Sequence, residues 1–207
     1  MKLKKLLFGG ALFAAFSLVA INSNAQAGRF GINAGVNFSN ITGKDAPDNN
    51  KLKTGFQAGV TYDIGIADDF VIQPGLSYVQ NGTKFGGTFA SLANDPKVSL
   101  NYLQLPITFQ YQPELGTGHL LLGVGPYVGM GIGQVKIEND NSSVKLDWDD
   151  AKLKKFDAGG KLLVGYQLQN GLSLNLNANL GLVKLSDLSN PPTTNNTSFG
   201  FTVGYKF

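Results

Sequence analysis

The stretch Thr197-Ser-Phe-Gly-Phe-Thr-Val-Gly-Tyr-Lys-Phe207 decides the fold. Side chains alternate between the two faces of an extended strand. Phe199, Phe201, Val203, Tyr205 and Phe207 therefore share one face, and Gly200, Thr202, Gly204 and Lys206 share the other. One face is wholly apolar and the other is glycine or polar, so the strand separates two unlike environments.

Seven upstream segments repeat the pattern. Residues 29–40 set Phe30, Ile32, Ala34, Val36 and Phe38 against Gly31, Asn33, Gly35, Asn37 and Ser39. Segments 54–66, 70–80, 98–112, 119–133, 156–168 and 172–185 follow the same rule. Each has at least the roughly nine to eleven residues that a tilted strand needs to cross a bilayer. The connections 67–69, 113–118 and 169–171 are short, and the last carries the Asn170-Gly171 hairpin signal. They alternate strictly with the long polar connections 41–53, 81–97, 134–155 and 186–197. This rhythm predicts an all-β, eight-stranded antiparallel up-and-down transmembrane barrel with periplasmic turns, extracellular loops and both termini on the periplasmic side.

Alternation alone does not say which face points inward, because a lipocalin-like soluble barrel also alternates. Three features favour the membrane. The polar face is mainly Gly, Asn, Gln, Ser and Thr, where a soluble barrel's outer face would carry many Lys and Glu. The charges lie in the connections instead. Aromatics gather near strand ends in two sets: Phe30, Tyr62, Phe70, Tyr111, Tyr166 and Tyr205 at one level, and Phe38, Phe56, Tyr78, Tyr102, Phe156 and Phe199 at the other. Membrane interfaces select such girdles. Pro74, Pro106 and Pro126 fall inside central strands, where each removes a ladder donor, so local bulges are expected.

Residues 1–25 read as a cleaved secretory signal peptide, with Lys2, Lys4 and Lys5 before an apolar run and small residues at Ser23-Asn24-Ala25. The alternative is a retained anchor helix, for which the run is short. Residues 26–207 then form the barrel domain. The whole chain has 17 Lys+Arg and 14 Asp+Glu; removing the three signal lysines balances the charge. No nucleic-acid partner is implied. Charged residues make up 15%, against about 25% in soluble domains. The absence of cysteine excludes a disulfide framework and a thiol active site.

The stretches Gly31-Ile-Asn-Ala-Gly-Val-Asn-Phe-Ser39, Gly55-Phe-Gln-Ala-Gly-Val60, Gln73-Pro-Gly-Leu-Ser-Tyr78, Tyr102-Leu-Gln-Leu-Pro-Ile107 and Gly123-Val-Gly-Pro-Tyr127 resemble, in order and spacing, those of the PorT-like outer-membrane β-barrel family. Phe156-Asp157 with Gly165-Tyr166 is similar to its sixth strand. The departures are Gly75 and Gln104, where the family often carries inward glutamates. The resemblance implies an integral outer-membrane barrel, and some members of the family serve protein secretion. The closing Tyr205 and Phe207 resemble the signal by which such barrels are recognised for insertion. The implied partners are outer-membrane lipid, the barrel-assembly machinery and other envelope proteins.

Eight strands leave an interior that side chains fill, so an open pore is not expected. Asp63, Asp157, Lys161 and Lys206 are the main inward charges and read as a paired, hydrogen-bonded plug. His119 is the only histidine and reads as a turn residue without evident Ser and carboxylate partners, in contrast to a lipid-modifying barrel enzyme. In loop 134–155, Val135 and Ile137 face Val144, Leu146 and Trp148 as a projecting hairpin. Trp148 at its tip is a candidate surface anchor. Phe85 and Phe89, with Leu92, form a second candidate contact patch. Asp147, Asp149 and Asp150 could hold calcium but lack an EF-hand loop, and Lys152, Lys154 and Lys155 balance them as a solvated face. No metal or cofactor is expected. The reading is a non-enzymatic barrel with a structural or surface-interaction role; the alternatives are a secretion-apparatus accessory subunit and a lipid-modifying enzyme.

Overall fold

The computed structural model describes residues 28–46, 50–85, 96–139, 142–188 and 192–207. The proposed signal peptide lies outside them, as do Phe89 and Leu92. In chain order the strands are β1 (Arg29–Thr42), β2 (Asn50–Lys51), β3 (Lys53–Ala67), β4 (Phe70–Phe85), β5 (Lys97–Tyr111), β6 (Glu114–Leu115), β7 (Gly118–Asn139), β8 (Ser142–Leu146), β9 (Phe156–Leu168), β10 (Leu172–Gly181) and β11 (Asn195–Lys206). Eight of them form the wall, and β2, β6 and β8 are short additions at its ends. Each wall strand pairs antiparallel with the next in sequence. The circle closes where β1 meets β11, from Gly31↔Lys206 to Thr42↔Asn195. A closed barrel satisfies every ladder from within, which is what a bilayer demands of strands.

The wall is inverted relative to a soluble barrel. Along β10, Leu174 and Leu176 are 51% and 61% exposed, while Asn175 and Asn177 are 8% and 7% exposed. The same alternation puts Val124, Ile107 and Phe201 outside and Gln110, Thr108 and Thr202 inside. Outward aromatics stack across strands near both ends. Phe30–Tyr62 and Phe70–Tyr111 have ring centroids 4.7 and 5.0 Å apart at the turn end. Phe38–Phe199 and Phe56–Tyr78 are 5.3 and 5.1 Å apart at the loop end. Tyr102 does not belong to that girdle: it shares the parity of Gln104, points inward and is fully buried.

The prolines interrupt the ladder without shifting it. Pairing between β3 and β4 stops at Thr61↔Gly75 and resumes in the same register at Ile64↔Ile72, across Pro74. The β5–β7 ladder likewise steps over Pro126 between Pro106↔Tyr127 and Phe109↔Val124. The register shifts fall elsewhere, at Gly65/Ala67 and Ser99/Asn101. Glycine accompanies the prolines: a Cβ on Gly125 would lie 1.9 Å from the Ile107 carbonyl oxygen. Close approach of the backbones thus replaces the expected bulges.

Two further expectations are corrected at the loop end. The seventh strand stops at Gly181, and Leu185 turns inward, 5% exposed. Trp148 is not an exposed tip residue; it is 1% exposed and packs with Leu100, Tyr102, Val135 and Leu185 across the barrel mouth. The cause lies in β7. Between Asn101↔Ile132 and Ser99↔Lys136, three β7 residues oppose the single Leu100, and Gly133 adopts φ 64°. This bend accompanies the folding of the segment after β8 over the opening. The indole sits on Gly131, where a Cβ would come within 2.5 Å of the ring, and donates its N–H to the Gly133 carbonyl at 3.0 Å.

Candidate functional site

The inward faces build a polar lumen in tiers. At the turn end three glutamines run head to tail. Gln112 donates to Gln110 at 2.7 Å, Gln110 to Gln73 at 2.7 Å, and Gln73 to the Asp63 carboxylate at 2.6 Å. The other Asp63 oxygen pairs with the Lys206 ammonium, and both side chains are buried. This pair ties the closing strand to β3 across β1, linking residues 143 apart in sequence.

Below the cap, Asp157 accepts from the Tyr127 hydroxyl and from Asn196, each at 3.3 Å. Asn196 also donates to the Tyr102 oxygen at 3.2 Å. Between the tiers, Lys161 lines a cavity of about 50 Å³. The expected paired plug is therefore only partly formed: Asp63 and Lys206 pair, whereas Asp157 and Lys161 do not pair with each other. They are four residues apart along one extended strand, which places them on the same face but about 13 Å apart.

A second cavity, of about 190 Å³, opens at the turn end and is lined by Arg29, Asp63, Asp68, Asp69, Gln112 and His119. His119 thus shares a cavity with three carboxylates, which the sequence reading missed because Asp68 and Asp69 lie in a different turn. Among the described residues, no group of three or more His, Cys, Asp or Glu side chains is arranged to hold a metal.

At the loop end, β7 and β8 form the expected hairpin, with Val135↔Leu146 and Ile137↔Val144. On this hairpin Lys136 contacts Glu138 at 2.6 Å, and that hydrogen bond holds the Glu138 carboxyl below the usual carboxylate range. Asp147 accepts from Gln134 at 3.2 Å, and Asp149 lies 3.7 Å from Lys155. Phe85 is half-buried and pairs with Asn50 of β2.

The signature of the family described as "Outer membrane protein beta-barrel domain" covers residues 23–187. No curated protein matches the chain. Among solved structures, Neisserial surface protein A (NspA) is 11% identical with a TM-score of 0.50, over 88% of this chain and 100% of that one. The outer membrane enzyme PagL is 12% identical with a TM-score of 0.50, over 86% of this chain and 99% of that one. Ail, the attachment invasion locus protein of Yersinia pestis, is 15% identical with a TM-score of 0.44, over 88% and 100%. At these identities NspA and PagL share the fold alone. The inverted wall, the closed ladder and the family signature agree: the chain is an outer-membrane protein and belongs to the outer membrane protein β-barrel domain family.

Proposed function

We propose that this protein is a non-enzymatic outer-membrane barrel that works through its extracellular rim and lipid-facing wall, in contact with other envelope components. The filled lumen is the observation that carries the reading. Buried amides, the Asp63–Lys206 pair and the Trp148 cap occupy the bore, where two cavities measure about 50 and 190 Å³. A barrel so filled offers its surface for function more readily than its bore. The rim is also enlarged: β4 and β7 run to 16 and 22 residues, beyond the roughly eleven that cross a bilayer. With β8 they raise a ridge on one side of the mouth.

The test is the native size of the protein extracted from outer membranes in mild detergent, before and after replacing residues 137–144 by a two-residue turn. Partners that leave the wild-type particle with the hairpin support a rim-contact role. Partners that stay count against it, and a His119→Ala variant with altered lipid A or phospholipids would contradict the non-enzymatic reading. A second reading is an accessory subunit of a secretion apparatus. It is favoured by the PorT-like stretches around Pro74, Pro106 and Pro126, and it predicts a large native complex and impaired secretion on deletion.

A further inference from the structure

We propose that the lumen holds a small monovalent anion, of the size and charge of chloride, against the Lys161 ammonium. Charges removed from bulk water are ordinarily paired, because an isolated one is costly to bury. Lys161, half-buried against the lumen, breaks that rule. Among the described residues it has no ion pair, hydrogen bond or other electrostatic partner. Neither lumenal carboxylate meets it: Asp63 is engaged by Lys206 and Gln73, and Asp157, which accepts from Asn196 and Tyr127 on one oxygen, lies four residues away along the same strand, about 13 Å distant.

The surroundings supply donors and space. Lys161 pairs across the ladder with Gly125, which carries no side chain that could meet the ammonium. Ser77 and Thr202 line the same cavity and are buried, and their hydroxyls have no hydrogen-bond partner among the described residues. Each can turn its O–H toward an anion. The cavity of about 50 Å³ has room for roughly three to five water-sized positions. That accommodates a monatomic or one-carbon anion with a water or two, and the buried, unpartnered Asn175 Oδ1 asks for such a water. Sulfate or phosphate would bring a second negative charge that a single lysine leaves unmatched. The larger cavity at the turn end carries Arg29 beside Asp63, Asp68 and Asp69, and the Asp63–Lys206 pair separates it from the cavity at Lys161.

The experiment uses bromide as the probe on the folded mature protein. Anomalous diffraction from crystals grown in bromide should show a peak beside Lys161 Nζ in the wild type and none in Lys161→Met. In solution, the thermal unfolding midpoint should rise with bromide, relative to sulfate at matched ionic strength, in the wild type and Lys161→Arg. The response should fall at least tenfold in apparent affinity in Lys161→Met. Water alone at Nζ, a bromide peak elsewhere in the lumen, or an unchanged bromide response in Lys161→Met overturns the proposal. Should Lys161→Met fail to fold, the wild-type anomalous map decides by itself.

Discussion

Replacing Lys206 by Met tests whether the buried Asp63–Lys206 pair holds the closing strand. The methionine keeps most of the lysine stem's volume and removes only the charge. Asp63 then retains the Gln73 hydrogen bond at 2.6 Å but loses its counter-ion, in surroundings where the two side chains are only 4% and 6% exposed. Breaking a buried pair by removing one partner costs about 3–5 kcal/mol. Asp63 also borders the cavity at the turn end, where water can reach it in part, so the lower figure applies. A loss of about 3 kcal/mol corresponds to roughly two powers of ten in the folding equilibrium. The double variant Asp63→Asn with Lys206→Met removes both charges and leaves an amide oxygen for Gln73, so it should cost less than either single change. Urea unfolding of protein refolded in lipid vesicles, followed by circular dichroism, reads all four members of the cycle. A Lys206→Met variant within 0.5 kcal/mol of wild type (roughly the scatter of neutral surface changes), or a double variant as costly as the sum of the singles, would refute the argument.

Trp148→Ala removes the centre of the mouth cluster, a truncation worth about 3–5 kcal/mol locally. Loop 134–155 should become protease-sensitive while the boiled and unboiled mobilities of the barrel stay unchanged, and Gly131→Val, by displacing the indole from its seat, should do the same. Gly35→Val is expected to abolish folding, since even a Cβ there would lie 1.9 Å from the Phe201 carbonyl oxygen at the closing seam; no heat-modifiable band should form. Deleting Phe207, which is 69% exposed and tied to the wall through its N–H to Phe30 at 2.8 Å, should lower assembly yield in cells but hardly alter refolding in detergent.

The wall was legible because alternation of Leu, Val and Phe with Asn, Gly and Thr is a local property, set residue by residue along each strand. The loop end was not. Val135, Ile137, Val144 and Leu146 revealed their hairpin through period two, but the turn of Trp148 into the mouth depends on the bend at Gly133 and the empty seat at Gly131, which periodicity does not encode. Tyr102 lies near a strand end, where position alone suggests a girdle, but its parity with Gln104 points it inward. For the lumen, parity identified Asp63, Asp157, Lys161 and Lys206 as inward. Which of them meet depends on strand stagger around the closed circle, and so Asp63 finds Lys206 while Lys161 stands alone. The same stagger brings His119 to Asp68 and Asp69 from a separate turn.

The most direct measurement concerns which face of the wall meets lipid. The native chain has no cysteine, so single cysteines introduced along β10 carry spin labels only where they are placed. In bilayers, labels at residues 174, 176 and 180 should collide freely with oxygen dissolved in the lipid and little with a water-soluble nickel chelate. Labels at 175, 177 and 179 should be shielded from both, giving a period-two profile. A profile in which the chelate reaches 174, 176 and 180 would contradict the account, because those leucines would then face water.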